Sequence, residues 1–276
     1  MALKAAKIDV SKITFSPPKS LDNGGKMLYL NYGDTKSPIF LETPELELPF
    51  DPSYFADNET SGKFSIRVNM NDLENNKGMK DLHNLLSSMD EHLIKESQSN
   101  SKSWFNRSKL TLDTIKELYT PMVKVHTEDG EPSGKWPDTF GFKIVKRDNK
   151  IQLSIYDDKK VVFDINNETE NPTDITKLLM KGSRIKAVLK NNGVWIANGK
   201  FGCTWRAEQI RVKVPEGGLH DFAIMSESDD ENDSDEDNRV SDVMLKDSTS
   251  DEEEEEPVKK KKVVKKKKVK VSVSSA

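Results

Sequence analysis

The sequence predicts a mostly-β body of the α+β class: a small, partly open barrel with a helical insertion, followed by a disordered charged tail. Three observations carry this. Apolar and polar residues alternate at Lys63–Met70 and repeatedly between residues 141 and 214, the period-2 signature of half-buried strands. Between those stretches the apolar period lengthens to three and four residues, that of an amphipathic helix. Beyond Met225 apolar residues give way to runs of like charge, which bury too little area to offset the entropy of ordering.

The elements follow in order. Prolines at 17, 18, 38, 44, 49 and 52 exclude long helices from the first sixty residues and leave short strands, at Lys26–Tyr32 and Ser37–Leu41. Phe64, Ile66, Val68 and Met70 then share one face of a cleaner strand. Met79, Leu82, Leu85, Leu86, Met89, Leu93 and Ile94 line one face of a helix over about 72–96. The polar string Glu96–Ser103 reads as a mobile loop. A second helix is expected over Leu112–Tyr119, capped by Ser108 or Thr111 and limited by Pro121.

From Pro137 the pattern is β again. Gly141–Lys146 and Lys150–Tyr156 flank a hairpin loop at Arg147-Asp148-Asn149, and Lys159–Ile165 gives a further strand. Asp174–Met180 suits a short helix stopped by Gly182. Ser183–Lys190 is a strand, Asn191-Asn192-Gly193 a turn, and Asn198-Gly199 the strongest hairpin signal of the chain. In the last strand Phe201, Cys203, Trp205 and Ala207 occupy odd positions, while Ile210, Val212 and Val214 occupy even ones. One face cannot hold both sets without an extra residue, so a β-bulge is expected near Glu208–Gln209. Five or six strands that bend in this way fit an OB-type barrel, with an insertion at about 72–120, better than a seven-stranded sandwich.

Charge is distributed unevenly. Met1–Met225 carries 32 basic and 31 acidic residues, Ser226–Glu256 a net −14, and Pro257–Ala276 nine lysines without an acid. The expected organisation is a body over 1–220, an acidic tail over 221–256 and a lysine-rich tail over 257–276. Cys203 is the sole cysteine, so no intramolecular disulfide forms and a reducing compartment is favoured. The N-terminus lacks the apolar core of a signal peptide, and no segment has the length of a membrane span. A soluble intracellular protein is expected.

Catalytic signals are missing. No two of the four histidines have helical metal-site spacing, and one cysteine cannot complete a zinc set. Phosphate-cradling glycine loops and nucleophile-elbow motifs are absent. The expectation is a binding protein, not an enzyme, with no cofactor and no metal.

The most informative stretch is Gly193–Val214. Trp195, Phe201 and Trp205 alternate there with Lys200, Arg206, Arg211 and Lys213. Flat rings on which bases stack, beside cations that neutralise phosphate, suit single-stranded nucleic acid of any sequence. The same three aromatics would also serve as core, since each buries a large apolar area. Arg184, Lys186 and Lys190 on the neighbouring strand would add a basic stripe, and Lys143 extends it. A near-neutral body predicts only moderate salt sensitivity.

Leu178-Leu179-Met180-Lys181-Gly182-Ser183, Val194-Trp195, and Asn198-Gly199-Lys200-Phe201-Gly202 with Trp205 and Gln209 resemble a family from large nucleocytoplasmic DNA viruses. These are the single-stranded-DNA-binding proteins of the algal and giant amoebal viruses, themselves similar to phage OB-fold single-strand binders with acidic tails. The resemblance covers mainly residues 136–214 and, more loosely, Trp104–Lys124. It implies coating of single-stranded DNA in viral replication, recombination or repair, in the host nucleus, a cytoplasmic viral factory or the virion. It also implies an acidic tail that competes with DNA and recruits replication proteins. Here the chain departs from the pattern, because lysines follow the acids and the chain ends at Ala276.

The lysine run suits DNA, the adjacent acids or an import receptor. Ser228, Ser234 and Ser250 each precede an acid by three residues, a phosphorylation pattern that would add about −1.5 to −2 charges per site. RNA in place of DNA, and a homo-oligomeric state, stay open. The competing reading is a virion-structural or interaction protein that packages DNA or holds histones through its tail.

Overall fold

The computed structural model describes residues 1–22, 24–169 and 173–214; the expected tails, with Ser228, Ser234 and Ser250, lie outside them. The described chain is mostly β with few helices. Among the strands before the helices are β1 (Lys26–Leu28), β2 (Phe40–Glu42), β3 (Leu46–Glu47), β4 (Ser53–Ala56) and β5 (Gly62–Asn69). Helices α1 (Lys77–Ser99), α2 (Ser101–Phe105) and α3 (Leu112–Leu118) follow, then β6 (Tyr119–Thr120) and β7 (Val123–Lys124). The last part holds β8 (Thr139–Arg147), β9 (Lys150–Ile151), β10 (Ser154–Tyr156), α4 (Ile175–Leu178), β11 (Arg184–Ala197) and β12 (Lys200–Lys213).

Five strands close a ring. β3 pairs β5 through Glu47 and Asn69, β5 pairs β8 over its full length, and β8 meets β12. β12 pairs β11 as a long hairpin, and β11 returns to β3. Every joint is antiparallel except β8–β12, which is parallel. Inside lie Ile66, Val68, Phe140, Phe142, Ile144, Ile185, Ala187, Leu189, Trp205 and Ile210, all buried. β2 and β3 act as one strand interrupted at Thr43-Pro44. There the buried Thr43 hydroxyl accepts the Ala187 amide, and the Thr43 amide donates to the Ala187 carbonyl, so the ladder loses no bond where proline would break it.

Local chemistry explains where the sequence reading holds. Asp148 and Asn149 both have positive φ, as do Asn198 and Gly199, which makes each pair the two-residue turn that matches strand twist. Val188 pairs Gln209 but Leu189 pairs Ala207, so Glu208 is the extra residue; the phase change in β12 is the expected bulge. Thr111 caps α3 by accepting the Thr114 amide.

Three expectations need correction. Glu96–Ser103 is no loop: α1 runs on to Ser99 and α2 follows at Ser101. Ser97 bonds back to the Ile94 carbonyl, and buried Trp104 anchors the turn, so packing overrides the polar composition. Lys159–Ile165 is no strand. Val161 and Val162 are exposed, and Asp157 binds the Val161 amide in a turn with Lys160 at positive φ. Asn191-Asn192-Gly193 bends β11 without reversing it. Asn192 is a second extra residue, and the Asn191 side chain accepts the Gly193 amide. Gly193 has φ +100°, and a Cβ there would collide with the Leu28 carbonyl, because β1 crosses directly over the bend.

Helix α1 packs its apolar face on the N-terminal segment, α3 and β7. Its Asp90 accepts from the Tyr119 hydroxyl and from the Met122 amide at 3.1 Å, so it fastens the β6–β7 crossing. Burial raises Asp90 to about 6, against the opposing pull of these bonds. Its folded value thus exceeds the unfolded one, and the native state holds the proton more tightly. The stability this group contributes is present below about pH 4 and is lost as pH rises through about 6. Relative to Asp90→Asn, the wild-type chain should therefore lose denaturation midpoint between pH 4 and 6. A difference between the two that does not vary with pH would exclude this coupling.

Candidate nucleic-acid interface

The outer face of the ring is organised by the joint between β8 and β12. They meet in register only at Lys143 and Arg206. To one side β8 takes β7 as its neighbour, at Phe140 and Thr139, while β12 takes β6, at Phe201 and Gly202. To the other side β9 and β10 intervene in the same way. The strands therefore diverge as a fork, and Pro121-Met122 crosses it between β6 and β7.

A groove of about 160 Å³ sits at this fork. Met122, Phe142 and Trp205 form its floor, and Ser65, Lys124, Lys143, Trp195 and Thr204 its walls. Residues directly opposite on paired strands project to one face. Ser65, Lys143, Arg206, Lys190 and Phe40 are opposite one another in succession, so one row of three cations crosses three strands. The Lys190 ammonium lies 5.5 Å from the Phe40 ring centroid. Lys143 is half-buried, and no hydrogen bond or ion pair reaches its ammonium among the described residues. Burial, and then the neighbouring Lys63, hold it below the usual lysine range. The pull of Asp57, whose carboxylate is already paired with Lys63, opposes this without overcoming it; a desolvated cation so poorly compensated is costly, and an anion at this spot would relieve the cost.

Trp195 is half-buried beside Lys143, opposite Gly202 on β12 and Met27 on β1. A Cβ on Gly202 would stand 3.0 Å from the Trp195 ring and 2.9 Å from the Thr120 carbonyl. Only the bare glycine lets the indole lie across the strand.

Phe201 and Trp205 are corrections: both are core. Their odd positions in β12 point inward, and the outward phase belongs to Thr204 and Arg206. Phe201 packs against Phe105 and Tyr119 at 5.1 and 5.0 Å between centroids. Trp205, 1% exposed, donates its indole N–H to Met122 Sδ at 3.2 Å. Lys200 is exposed but turned away, donating to the Glu117 carbonyl at 2.7 Å, at the end of α3.

The basic stripe does assemble. Lys190 stands opposite Arg206, Lys186 opposite Arg211, and Arg184 opposite Lys213. Carboxylates attend it. Glu208 holds Arg206 at 2.8 Å, Glu42 holds Lys186 at 2.6 Å, and Glu45 and Asp158 lie near Arg184, Arg211 and Lys213. Ser65, Lys124 and Thr204 were not singled out in the sequence. Alternation marks Ser65 and Thr204 as outward, but their convergence depends on strand pairing. Other exposed aromatics, Tyr54, Phe55 and Trp136, do not line the groove. No cluster of metal-ligating side chains occurs among the described residues, nor does any helix there have the length and apolarity to cross a membrane.

No protein-family model and no curated protein matches the chain. Among solved structures it is similar to the single-stranded DNA-binding protein from bacteriophage Enc34. That match has 12% identity and a TM-score of 0.39, over 78% of this chain and 98% of that one. The same phage protein in complex with ssDNA matches at 13% identity and a TM-score of 0.39, over 74% and 97%. The gp2.5 single-stranded DNA-binding protein encoded by bacteriophage T7 matches at 13% identity and a TM-score of 0.41, over 75% and 100%.

The core assignment has a direct test. Phe201→Ala and Trp205→Ala should each lower unfolding free energy by about 3–5 kcal/mol, as loss of a buried aromatic does. Chemical denaturation that found either variant as stable as the wild type would return that ring to the surface.

Proposed function

We propose that this chain binds single-stranded nucleic acid without base preference, across the fork between β8 and β12. The observation that carries the reading is Lys143: a half-buried ammonium that no hydrogen bond or ion pair reaches among the described residues, in register with Arg206 and Lys190 and beside a half-exposed indole. Phosphates would follow the cation row while a base stacks on Trp195. Besides Lys124, the groove walls carry small hydroxyls, at Ser65 and Thr204, that fit any nucleotide. In this reading the body is an OB-type barrel, supported by the ring order β3–β5–β8–β12–β11 with its one parallel joint. Its role is binding in replication, recombination or repair, and the charged segments at 221–256 and 257–276 tune it.

Oligo-dT should quench tryptophan fluorescence of the full chain, and Trp195→Ala should weaken binding roughly 5- to 150-fold, the equivalent of about 1–3 kcal/mol per stacked base. Trp136→Ala, outside the groove lining, should leave affinity unchanged. Lys143→Ala should weaken binding and reduce its salt dependence by about one phosphate contact. A chain that neither shifts in a gel nor quenches at low salt would refute the reading. Binding that survives both groove substitutions and is reproduced by a 226–276 peptide would move the function to the lysine run and a packaging role. Oligo-U run beside oligo-dT decides between RNA and DNA.

A further inference from the structure

The outer ladder of β11 and β12 contains a second feature. Three cation pairs stand directly opposite one another: Lys190 and Arg206, Lys186 and Arg211, and Arg184 and Lys213. Like charges in that relation destabilise a sheet. The pairs run from Arg184 to Lys190 of β11, roughly 20 Å at the rise of a strand. Below them a cavity of about 310 Å³ has an apolar floor at Ala187, Val188 and Ile210, with Tyr156 on its wall.

Arg206 is held from within β12 by Glu208 at 2.8 Å; three further carboxylates that offset this charge come from outside the ladder. Glu42 belongs to β2, Glu45 to the link between β2 and β3, and Asp158 to the turn after β10. Of these three only Glu42 is at hydrogen-bonding distance, 2.6 Å from Lys186. Glu45 bridges Arg184 and Lys213 at 3.7 and 3.6 Å, and Asp158 bridges Arg211 and Lys213 at 3.6 and 3.9 Å. All of these side chains are about a third to two thirds exposed, where ion pairs hold weakly. A carboxylate set loosely between two cations occupies the place that a phosphate, with more acceptor oxygens, would fill better.

Resting on the function proposed above, we infer that this ladder is a second phosphate track, separate from the fork groove, and that Glu42, Glu45 and Asp158 are its displaceable occupants. Lys190 and Arg206 belong to both surfaces, so a strand seated at the fork is led onto the ladder. Short strands occupy the fork alone. Longer ones displace the carboxylates one after another, and affinity rises with length.

The test compares the full chain with its Glu42→Gln/Glu45→Gln/Asp158→Asn variant, using labelled oligo-dT of two lengths over a series of salt concentrations. The variant should bind the longer strand several-fold more tightly, with a steeper salt slope, at about 0.7 per added phosphate contact. The shorter strand should be bound as by the wild type. Adding Lys186→Ala and Arg211→Ala to the variant should abolish the gain. A control variant, Glu128→Gln/Asp129→Asn/Glu131→Gln, removes the same charge from the exposed hairpin of Thr127–Glu128 and Glu131–Pro132, which lies between β7 and β8 and outside the ladder. Equal gains in both variants, or no gain in the first, would overturn the inference. If Trp195→Ala still weakens binding in that case, the fork reading stands by itself; a wild-type chain that binds no strand ends both.

Discussion

One register pair holds the architecture together. β8 and β12 are far apart in sequence and meet only where Lys143 faces Arg206, yet that contact closes the ring. Closure at a single point forces the strands apart on either side, and the chain fills the gaps with strands of two or three residues and the crossing at Pro121-Met122. The groove, the desolvated lysine and the cation row are consequences of this geometry. A longer parallel joint would have sealed the fork.

The same joint explains how the aromatics divide. A five-stranded ring is narrow, and Phe140, Phe142, Phe201 and Trp205 are needed to fill it and the adjoining helical layer. That leaves Trp195, which sits past the Asn192 irregularity and so escapes the inward phase of β11. Gly202 and Gly193 serve this one side chain and its strand: the first leaves room for the indole, and the second lets β1 pass over the bend. The interface thus rests on missing side chains as much as on those present.

Much of this was legible in the sequence, and the reasons are physical. The strands of the second half follow from alternation, and the bulge at Glu208 from a phase change that permits no other arrangement. The basic stripe on β11 was legible because Arg184, Lys186 and Lys190 share a parity. Whether Phe201 and Trp205 face in or out was not, since alternation groups residues without saying which group is buried. The isolation of Lys143 depends on the pairing of β8 with both β5 and β12. The carboxylates at Glu42, Glu45 and Asp158 arrive from segments more than fifty residues from some of their partners, and local pattern carries no trace of them. The helix through Ser97 and Trp104 was hidden by polar composition that tertiary packing overrides.

The excursion through α1, α2 and α3 separates β5 from β8 by about 70 residues, although they are neighbours in the ring. β11 and β12, by contrast, are joined by a two-residue turn and hold the longest ladder in the fold. Contact order then argues for a sequence of events in folding: the C-terminal hairpin forms early, and the distant pairings wait on loop closure. The joint at Lys143 needs both halves of the ring in place, so it forms late. A chain refolding from the denatured state, or one cut within the helical excursion, would display the cation ladder without the fork. Such a species would attract polyanions before it had a groove to hold them.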